Sequence, residues 1–352
     1  MRFMDCNAGP QVNDAIYGSS FALNTTKSNK VSVPAEYLSW KDFWNMNSFT
    51  RFARLLYCIL RRGKFRHSGY DFPNIRKQVL GDLVQFCPPQ PEKKSKRHLF
   101  KKWLLINPYS RQIFVQGSFI KNALKSKGGH LMVPGLKLGY IRNPRAASTS
   151  LSYTLLISLF PELKKYRPDP EKINFLTDLH VSQDLKPTEK QAIFFTVTRN
   201  PFSRIVSVYR EFFEKQQDHF LYEDYLFGIF RKDDSFKEFV SILQVIPDPL
   251  KDQHLMPQHA FLNFYREKNI DMTVLKLEAP AALSDFLAGH GLTMEAINKS
   301  EMAYDYREYY DFETAQIVCD LYATDLLLFG YERAFQELMD WIHCCPDKKV
   351  KV

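Results

Sequence analysis

The sequence has 352 residues, of which 45% are hydrophobic and 25% are charged, and its formal net charge is +9. This composition excludes a chain that is disordered throughout and is typical of a globular protein with a substantial core. The positive charge favours anionic partners such as nucleotides, charged glycans, nucleic acid or an anionic membrane, without choosing among them. The six cysteines form no CxxC pair and no Cys/His cluster with zinc-ligand spacing. We therefore predict neither a disulfide framework nor a metal site.

The sequence divides into four regions of different composition. Residues 1–35 are polar and rich in Asn, Ser and Thr, and we predict that they are disordered. Residues 36–130 are predicted to form a mostly helical region that includes a basic, proline-rich linker near 87–102. Residues 131–340 carry the patterns of the main folded domain, and residues 341–352 form a polar tail.

The most apolar segment of the N-terminal part is at 49–60. It is too short to span a bilayer and contains Arg51 and Arg54. We interpret it as a helix that covers the core, and a basic amphipathic helix resting on a membrane surface is the alternative. The first 18 residues lack the apolar core of a secretory signal.

Strands alternate with helices from Lys137 onward. Three apolar, β-rich runs are predicted as strands, and each is followed by a helical pattern. This alternation predicts an α/β fold with a central parallel sheet flanked by helices. A final amphipathic helix is predicted over 313–331. The predicted strands lie at 137–142, 192–199 and 272–278, and the helices that follow them lie at 151–160, 201–215 and 280–291.

A first candidate anion site lies between the first predicted strand and its helix. Small residues allow a ligand close to the backbone, and the first N–H groups of a helix have no partners within it. Hydroxyl groups add donors, and an arginine adds a fixed positive charge. The alternative interpretation is an ordinary helix start capped by a serine. The residues concerned are Pro144, Arg145, Ala146, Ala147, Ser148, Thr149 and Ser150.

A second candidate anion site begins at Arg199, where the next predicted strand ends. Ligands of open α/β sheets bind at the carboxyl ends of the strands. Arg204 and Ser207 are three residues apart on the following helix, so they share a face and suit a second phosphate. An arginine that only caps the sheet edge is the alternative.

Together, PRAASTS (144–150) and RNPFSRIVS (199–207) resemble two motifs of the carbohydrate sulfotransferases that use 3'-phosphoadenosine-5'-phosphosulfate (PAPS). This is the Golgi-type group that includes heparan sulfate 2-O- and chondroitin 4-O-sulfotransferases. In that family, Pro-Lys-x-x-Ser/Cys-Thr-Ser/Asn binds the 5'-phosphosulfate and Arg-x-Pro-x-x-Arg-x-x-Ser binds the 3'-phosphate. Segments 252–258 and 298–331 are also similar to the family. The resemblance covers about residues 137–331 and implies a P-loop-like sulfotransferase fold.

The resemblance also implies an activity: transfer of a sulfuryl group from PAPS to an acceptor hydroxyl, with adenosine 3',5'-bisphosphate (PAP) as product. Arg145 stands where the family has lysine. An arginine supplies the charge that stabilises the leaving phosphate but cannot donate a proton near neutral pH. Related 2-O-sulfotransferases place their catalytic histidine between the two motifs, which points to His180 as the base. His254, Asp184 and other carboxylates are the alternatives.

Two other functions account for parts of the sequence. A P-loop kinase or NTPase would need G-x-x-x-x-G-K-[ST] and a metal-binding aspartate after a neighbouring strand, whereas this strand ends in Arg199. A non-enzymatic binder of heparin-like or nucleic-acid polyanions explains the net charge but not two ordered anion sites.

The expected acceptor bears a hydroxyl. The family resemblance points to a glycan, with or without anionic groups, and a phenol, a small metabolite or a peptide tyrosine is the alternative. We expect no nucleic-acid partner, no transmembrane segment and at most peripheral membrane contact. The predicted location is the cytoplasm. The Golgi lumen is the alternative if an N-terminal membrane anchor, as in the Golgi relatives, precedes this sequence.

Overall fold

The structure is a computed structural model. It describes residues 46–63, 81, 129–166, 168–215, 222, 225–295, 297 and 304–344. The predicted disordered segment 1–35 and the basic linker near 87–102 lie outside the described residues.

A four-stranded sheet forms the centre of the described fold. β2, β3 and β4 are parallel, which confirms the predicted parallel sheet. β1 was not predicted. It is antiparallel to β2 because a short turn at Pro134–Leu136 reverses the chain between them. In spatial order the strands are β1 (His130–Val133), β2 (Leu138–Ile141), β3 (Ile193–Thr198) and β4 (Met272–Lys276).

Helices flank the sheet and connect its strands. Three of them lead from the carboxyl end of a strand: α2 follows β2, α5 follows β3 and α8 follows β4. The helices of the described residues are α1 (Met46–Arg62), α2 (Ser148–Leu159), α3 (Leu163–Tyr166), α4 (Pro170–His180), α5 (Pro201–Tyr209), α6 (Phe236–Val245), α7 (Asn263–Glu267), α8 (Pro280–Gly289), α9 (Phe312–Leu321), α10 (Ala323–Leu328) and α11 (Glu332–Cys344). A π-helical turn, Arg210–Glu214, continues α5.

The central strands β2 and β3 are buried on both faces, as their apolar sequences predict, whereas β4 is only partly buried. Successive side chains of a strand point to opposite faces. In β3, Phe194 therefore packs into one hydrophobic cluster while Phe195 and Val197 pack into the other. The larger cluster includes residues of α5, α6 and α9, and the smaller includes residues of α2, α4 and α8.

α1 contacts the larger cluster, as the interpretation of a core-covering helix predicts. Leu55 is only 2% exposed, and Cys58 and Ile59 pack beside it. At the end of the helix, Arg62 forms an ion pair with Asp234 and donates a hydrogen bond to the Ile229 carbonyl. Within the described part of the chain, no helix is long and apolar enough to cross a membrane.

The C-terminal part differs from the prediction of one helix over 313–331. The chain forms α9 and α10, and the break falls at Tyr322, whose φ of −120° departs from helical geometry. α11 then continues to Cys344, so the first four residues of the predicted polar tail 341–352 are helical. Residues 345–352 lie outside the described part.

Candidate active site

The loop between β2 and α2 has an unusual backbone. Arg145 (φ 69°) and Ala147 (φ 56°) are both in the left-handed region, which costs a non-glycine residue about 1–2 kcal/mol. Such conformations cluster at ligand-binding sites. α2 begins at Ser148, and its N-cap is Ala147, which has no side-chain oxygen. The alternative of a helix start capped by a serine is therefore wrong. The first N–H groups of α2 remain available to a ligand.

A cavity of about 880 Å³ opens at the carboxyl ends of the strands, within the size range of small-molecule sites. It brings both candidate anion sites together. Five cationic and two carboxylate side chains line it, together with hydroxyl, amide and apolar groups. The lining residues are Arg142, Pro144, Arg145, Ala147, Ser148, Thr149, Ser150, Asn174, Arg199, Ser207, Arg210, Glu211, Glu214, Lys215, His254, Leu277, Met294, Ile297 and Tyr304.

Arg145 reaches across the cavity from the first site to the second. Its Nε and Nη2 atoms donate to Ser207 Oγ at 3.2 and 2.8 Å, and Nη2 also donates to the Ser207 carbonyl at 2.9 Å. Glu211 lies 3.5 Å from Nη2. Burial lowers the pKa of Arg145, but an arginine remains protonated in proteins. Arg145 therefore places a permanent positive charge between the two sites.

Arg199 lies at the end of β3. In the described part of the chain its guanidinium has neutral partners: Ser203 Oγ at 2.9 Å, the Arg145 carbonyl at 3.2 Å and the Tyr304 hydroxyl at 3.0 Å. These contacts hold the side chain in place and leave its charge uncompensated. An uncompensated cation in a cavity is suited to a phosphate.

Arg204 does not line the cavity. It is 1% exposed and donates to the backbone carbonyls of Pro144 (3.1 Å), Met256 (2.9 Å) and Gln253 (3.3 Å). Although Arg204 shares a helix with Ser207, its long side chain runs behind the first loop. It joins that loop to the segment 253–256. Ala146, a residue of the loop itself, is also buried and does not line the cavity.

Gln258 joins the two candidate sites directly. Its Oε1 accepts hydrogen bonds from Asn143 Nδ2 (3.0 Å) and Arg199 N (2.9 Å), and its Nε2 donates to the Arg199 carbonyl (2.8 Å). The backbone N–H of Gln258 donates to the buried Asp325 at 2.6 Å. One buried amide therefore fixes the ends of β2 and β3 relative to each other.

His254 and Asp252 form a pair at the cavity wall. His254 Nδ1 lies 3.1 Å from Asp252 Oδ2, and Tyr222 donates its hydroxyl to the other carboxylate oxygen at 3.0 Å. Burial alone would raise the pKa of Asp252, but the charge and hydrogen bonds of His254 and the Tyr222 hydroxyl lower it below the usual value. The ionised Asp252 orients the imidazole, so its second nitrogen can accept a proton.

The described domain also matches a known sequence family. Residues 130–332, more than half of the chain, match the model of the sulfotransferase family. The chain belongs to the sulfotransferase family. This match confirms the resemblance to the family of Golgi carbohydrate sulfotransferases. Members of the family transfer sulfuryl groups and generally use PAPS as the donor. Comparisons with curated proteins and with solved structures gave no match.

The two histidines considered as the catalytic base, His180 and His254, lie in different surroundings. His254 lines the cavity, whereas His180, at the end of α4, does not. The His180 ring packs 4.9 Å from Phe160, and burial lowers its pKa. Asn174 and Asp178 are one helical turn apart and both contact Arg142. Since residues two apart on a helix do not share a face, His180 lies away from that side.

The hydroxyl groups of the first loop have different surroundings. Ser150 Oγ donates to the Ile297 carbonyl at 2.7 Å and accepts from its N–H at 3.0 Å. Thr149 Oγ1 donates to Asn174 Oδ1 at 3.4 Å. Ser148 is buried at the first position of α2. Of the three, Ser148 and Thr149 are therefore better placed than Ser150 to donate to a ligand.

Several residues in or beside the cavity were not singled out from the sequence. Gln258 and Asp252 lie in the family-like segment 252–258, so that similarity was a usable signal. Arg142 and Asn174 carried no local signal, because only the packing of α4 beside β2 brings them together. Glu211 reaches the cavity from the π-helical turn, a feature that is frequent at functional sites.

Proposed function

We propose that this protein transfers the sulfuryl group of PAPS to a hydroxyl of a carbohydrate, and releases PAP and a sulfate ester. The observation that carries the proposal is the single cavity lined by both motif segments, 144–150 and 199–207. PAPS has phosphate groups at two separate positions and needs two separate anion sites. The cavity supplies them on the ends of neighbouring parallel strands.

In this proposal, Arg199 and Ser207 bind the 3'-phosphate. Neither Ser203 nor Tyr304 carries a negative charge that compensates the Arg199 guanidinium, so the bound phosphate supplies that charge. The 5'-phosphosulfate binds at Pro144–Ser150, where the free N–H groups of α2 and the hydroxyls of Ser148 and Thr149 donate to its oxygens. Arg204 acts from behind the loop and does not touch the nucleotide.

Arg145 stabilises the leaving group. When the acceptor oxygen forms its bond to sulfur, the bond between sulfur and the 5'-phosphate oxygen breaks, and negative charge develops on that phosphate. A guanidinium already fixed at the site stabilises this charge without reorganising, which is the main contribution expected in transfers of this kind. Its bonds to Ser207 support a position of Arg145 near both ends of the proposed nucleotide.

His254 is the proposed base. With its Nδ1–H donated to Asp252, Nε2 takes the proton of the acceptor hydroxyl while the oxygen attacks sulfur. The arrangement of a base oriented by a carboxylate recurs in other enzymes that activate hydroxyl groups. The position of His180 outside the cavity does not support the role that the family resemblance suggested for it. Asp184 also does not line the cavity.

Calorimetric titration with PAP and with ADP tests the proposal, because ADP lacks the 3'-phosphate. We expect PAP to bind at least tenfold more tightly than ADP, since one charge-assisted contact contributes about 1.5–3 kcal/mol. Arg199→Ala should weaken PAP binding by about tenfold or more and leave ADP binding nearly unchanged. Equal affinities of the wild type for PAP, ADP and inorganic polyphosphate would contradict the proposal.

A further inference from the structure

The cations that line the cavity differ in whether a carboxylate lies beside them. Arg199 has neutral partners, but the other four lining cations each have a carboxylate within 4 Å. These ion pairs are Arg142–Asp178 (2.6 Å), Arg145–Glu211 (3.5 Å), Arg210–Glu214 (3.2 Å) and Lys215–Glu211 (2.6 Å). These four cations share three carboxylates, because Glu211 pairs with both Arg145 and Lys215. Among the described residues, the positive charge that remains available to a bound anion therefore lies at Arg199 and at Arg145, which are the two cations proposed to bind the nucleotide.

Two of the compensated cations lie at the sulfuryl end of the proposed nucleotide. Lys215 shares Glu211 with Arg145. Arg142 donates to Asn174 at 3.0 Å, and the same Asn174 oxygen accepts from Thr149 of the first loop. The acceptor must enter at this end because its oxygen attacks the sulfur there. We refer to Arg142, Asp178, Asn174, Glu211 and Lys215 as the acceptor wall.

With Arg145 assigned to the phosphate of the donor, the acceptor wall has no surplus of positive charge. Its two cations, Arg142 and Lys215, are balanced by Asp178 and Glu211, and the carboxylate of Asp252 lies behind His254. Burial would raise the pKa of Glu211, but the hydrogen bond from Lys215 and the charge of Arg145 lower it below the usual value, so it is ionised near neutral pH. An anionic acceptor would have to break these pairs or lie beside their carboxylates, and like charges placed together disfavour binding.

We infer that the acceptor is an uncharged polyhydroxyl compound, such as a neutral oligosaccharide, rather than a sulfated or carboxylated chain. This inference rests on the proposed sulfotransferase function. The carboxylate oxygens of the acceptor wall accept hydrogen bonds from sugar hydroxyls and repel a sulfate or a uronate. The net charge of +9 therefore does not indicate a polyanionic acceptor.

The test uses matched acceptors that differ only in charge. Oligosaccharides of glucose, galactose and mannose are supplied in neutral form and in carboxymethylated form of equal length, and transfer from radiolabelled PAPS is measured as kcat/KM. We expect the wild type to favour the neutral member of at least one pair by about fivefold or more, the effect of one unfavourable partly screened charge. A preference for the carboxymethylated member in every pair would overturn the inference.

Asp178→Asn tests the role of the wall itself. It releases Arg142 from its carboxylate, so the ratio of anionic to neutral transfer should rise by about threefold to fivefold. The double variant Asp178→Asn/Arg142→Gln should lose this gain. Glu313→Gln removes the same charge from a surface pair with Lys237 and should not change the ratio. An unchanged ratio in Asp178→Asn would also overturn the inference.

PAP binding distinguishes a failure of the inference about the acceptor from a failure of the proposed function. If PAP binds and no neutral oligosaccharide is sulfated, the inference about the acceptor is wrong while the nucleotide site stands. If PAP does not bind, the proposed function fails and the inference fails with it. PAP titration of each variant also shows that its fold and nucleotide site are intact.

Discussion

Replacing Arg204 with methionine distinguishes a structural arginine from a phosphate ligand. The side chain is buried and makes hydrogen bonds to three backbone carbonyls. Each carbonyl left buried without a donor costs about 1–3 kcal/mol. Part of this loss of stability is offset, because a buried cation no longer has to be desolvated when the chain folds. We expect the free energy of unfolding to fall by about 3 kcal/mol, which lowers the Tm by roughly 6–12 °C in a domain of this size.

Urea unfolding followed by circular dichroism measures this loss, and calorimetry measures PAP affinity of the folded variant. Arg204→Lys should be nearly as unstable, because one ammonium cannot reach three carbonyls that a guanidinium spans. Arg307→Met is the control, since Arg307 is a side chain 42% exposed and paired with Asp305, and its loss should cost less than about 1 kcal/mol. If Arg204→Met unfolds like the wild type but no longer binds PAP, Arg204 is a phosphate ligand and our reasoning is wrong.

Three further predictions concern catalysis and pH. Arg145→Ala should lower the rate of PAP formation by about 10²–10³, and Arg145→Lys should keep more activity because it keeps the charge; equal losses in both would mean that the charge is not what matters. His254→Ala should lower kcat by about 10²–10⁴ with PAP affinity unchanged, while His180→Ala stays active; the reverse result would return the base to His180. Asp252 has a pKa below its usual 3.8 in the folded protein, so its carboxylate stabilises the fold above about pH 4, and this contribution is lost as the pH falls further. Asp252→Asn should therefore be less stable than the wild type in urea unfolding at pH 7, with a smaller difference at pH 3, and a difference that grows in acid would contradict this.

Local patterns in the sequence were enough to locate the three parallel strands and the two segments that line the cavity. β3 (Ile193–Thr198) falls within the predicted strand 192–199, and α5 begins at Pro201 as predicted. These elements were predictable because a buried strand is a continuous apolar run and a proline marks the first turn of a helix. Both of these features, the apolar run and the helix start, depend on residues that are neighbours in sequence.

The remaining features depend on residues that are distant in sequence. Arg204 and Ser207 share a helix, but only the fold shows that one side chain is covered by Gln253–Met256 while the other lines the cavity. The packing of α4, which leaves His180 outside the cavity that His254 lines, could likewise not be read from the sequence. Periodicity did not reveal the break at Tyr322, because both α9 and α10 continue the same apolar pattern.

If the nucleotide binds as proposed, the amide of Gln258 limits how recognition of the donor can change. It is bonded to Asn143 beside one phosphate loop and to both backbone groups of Arg199 beside the other. In the proposed complex, a substitution of Gln258 disturbs the binding of both ends of the nucleotide at once. Affinity for one phosphate can therefore not be adjusted through Gln258 alone. Variation that alters the choice of acceptor is better tolerated at α4 and the π-helical turn, which this amide does not contact.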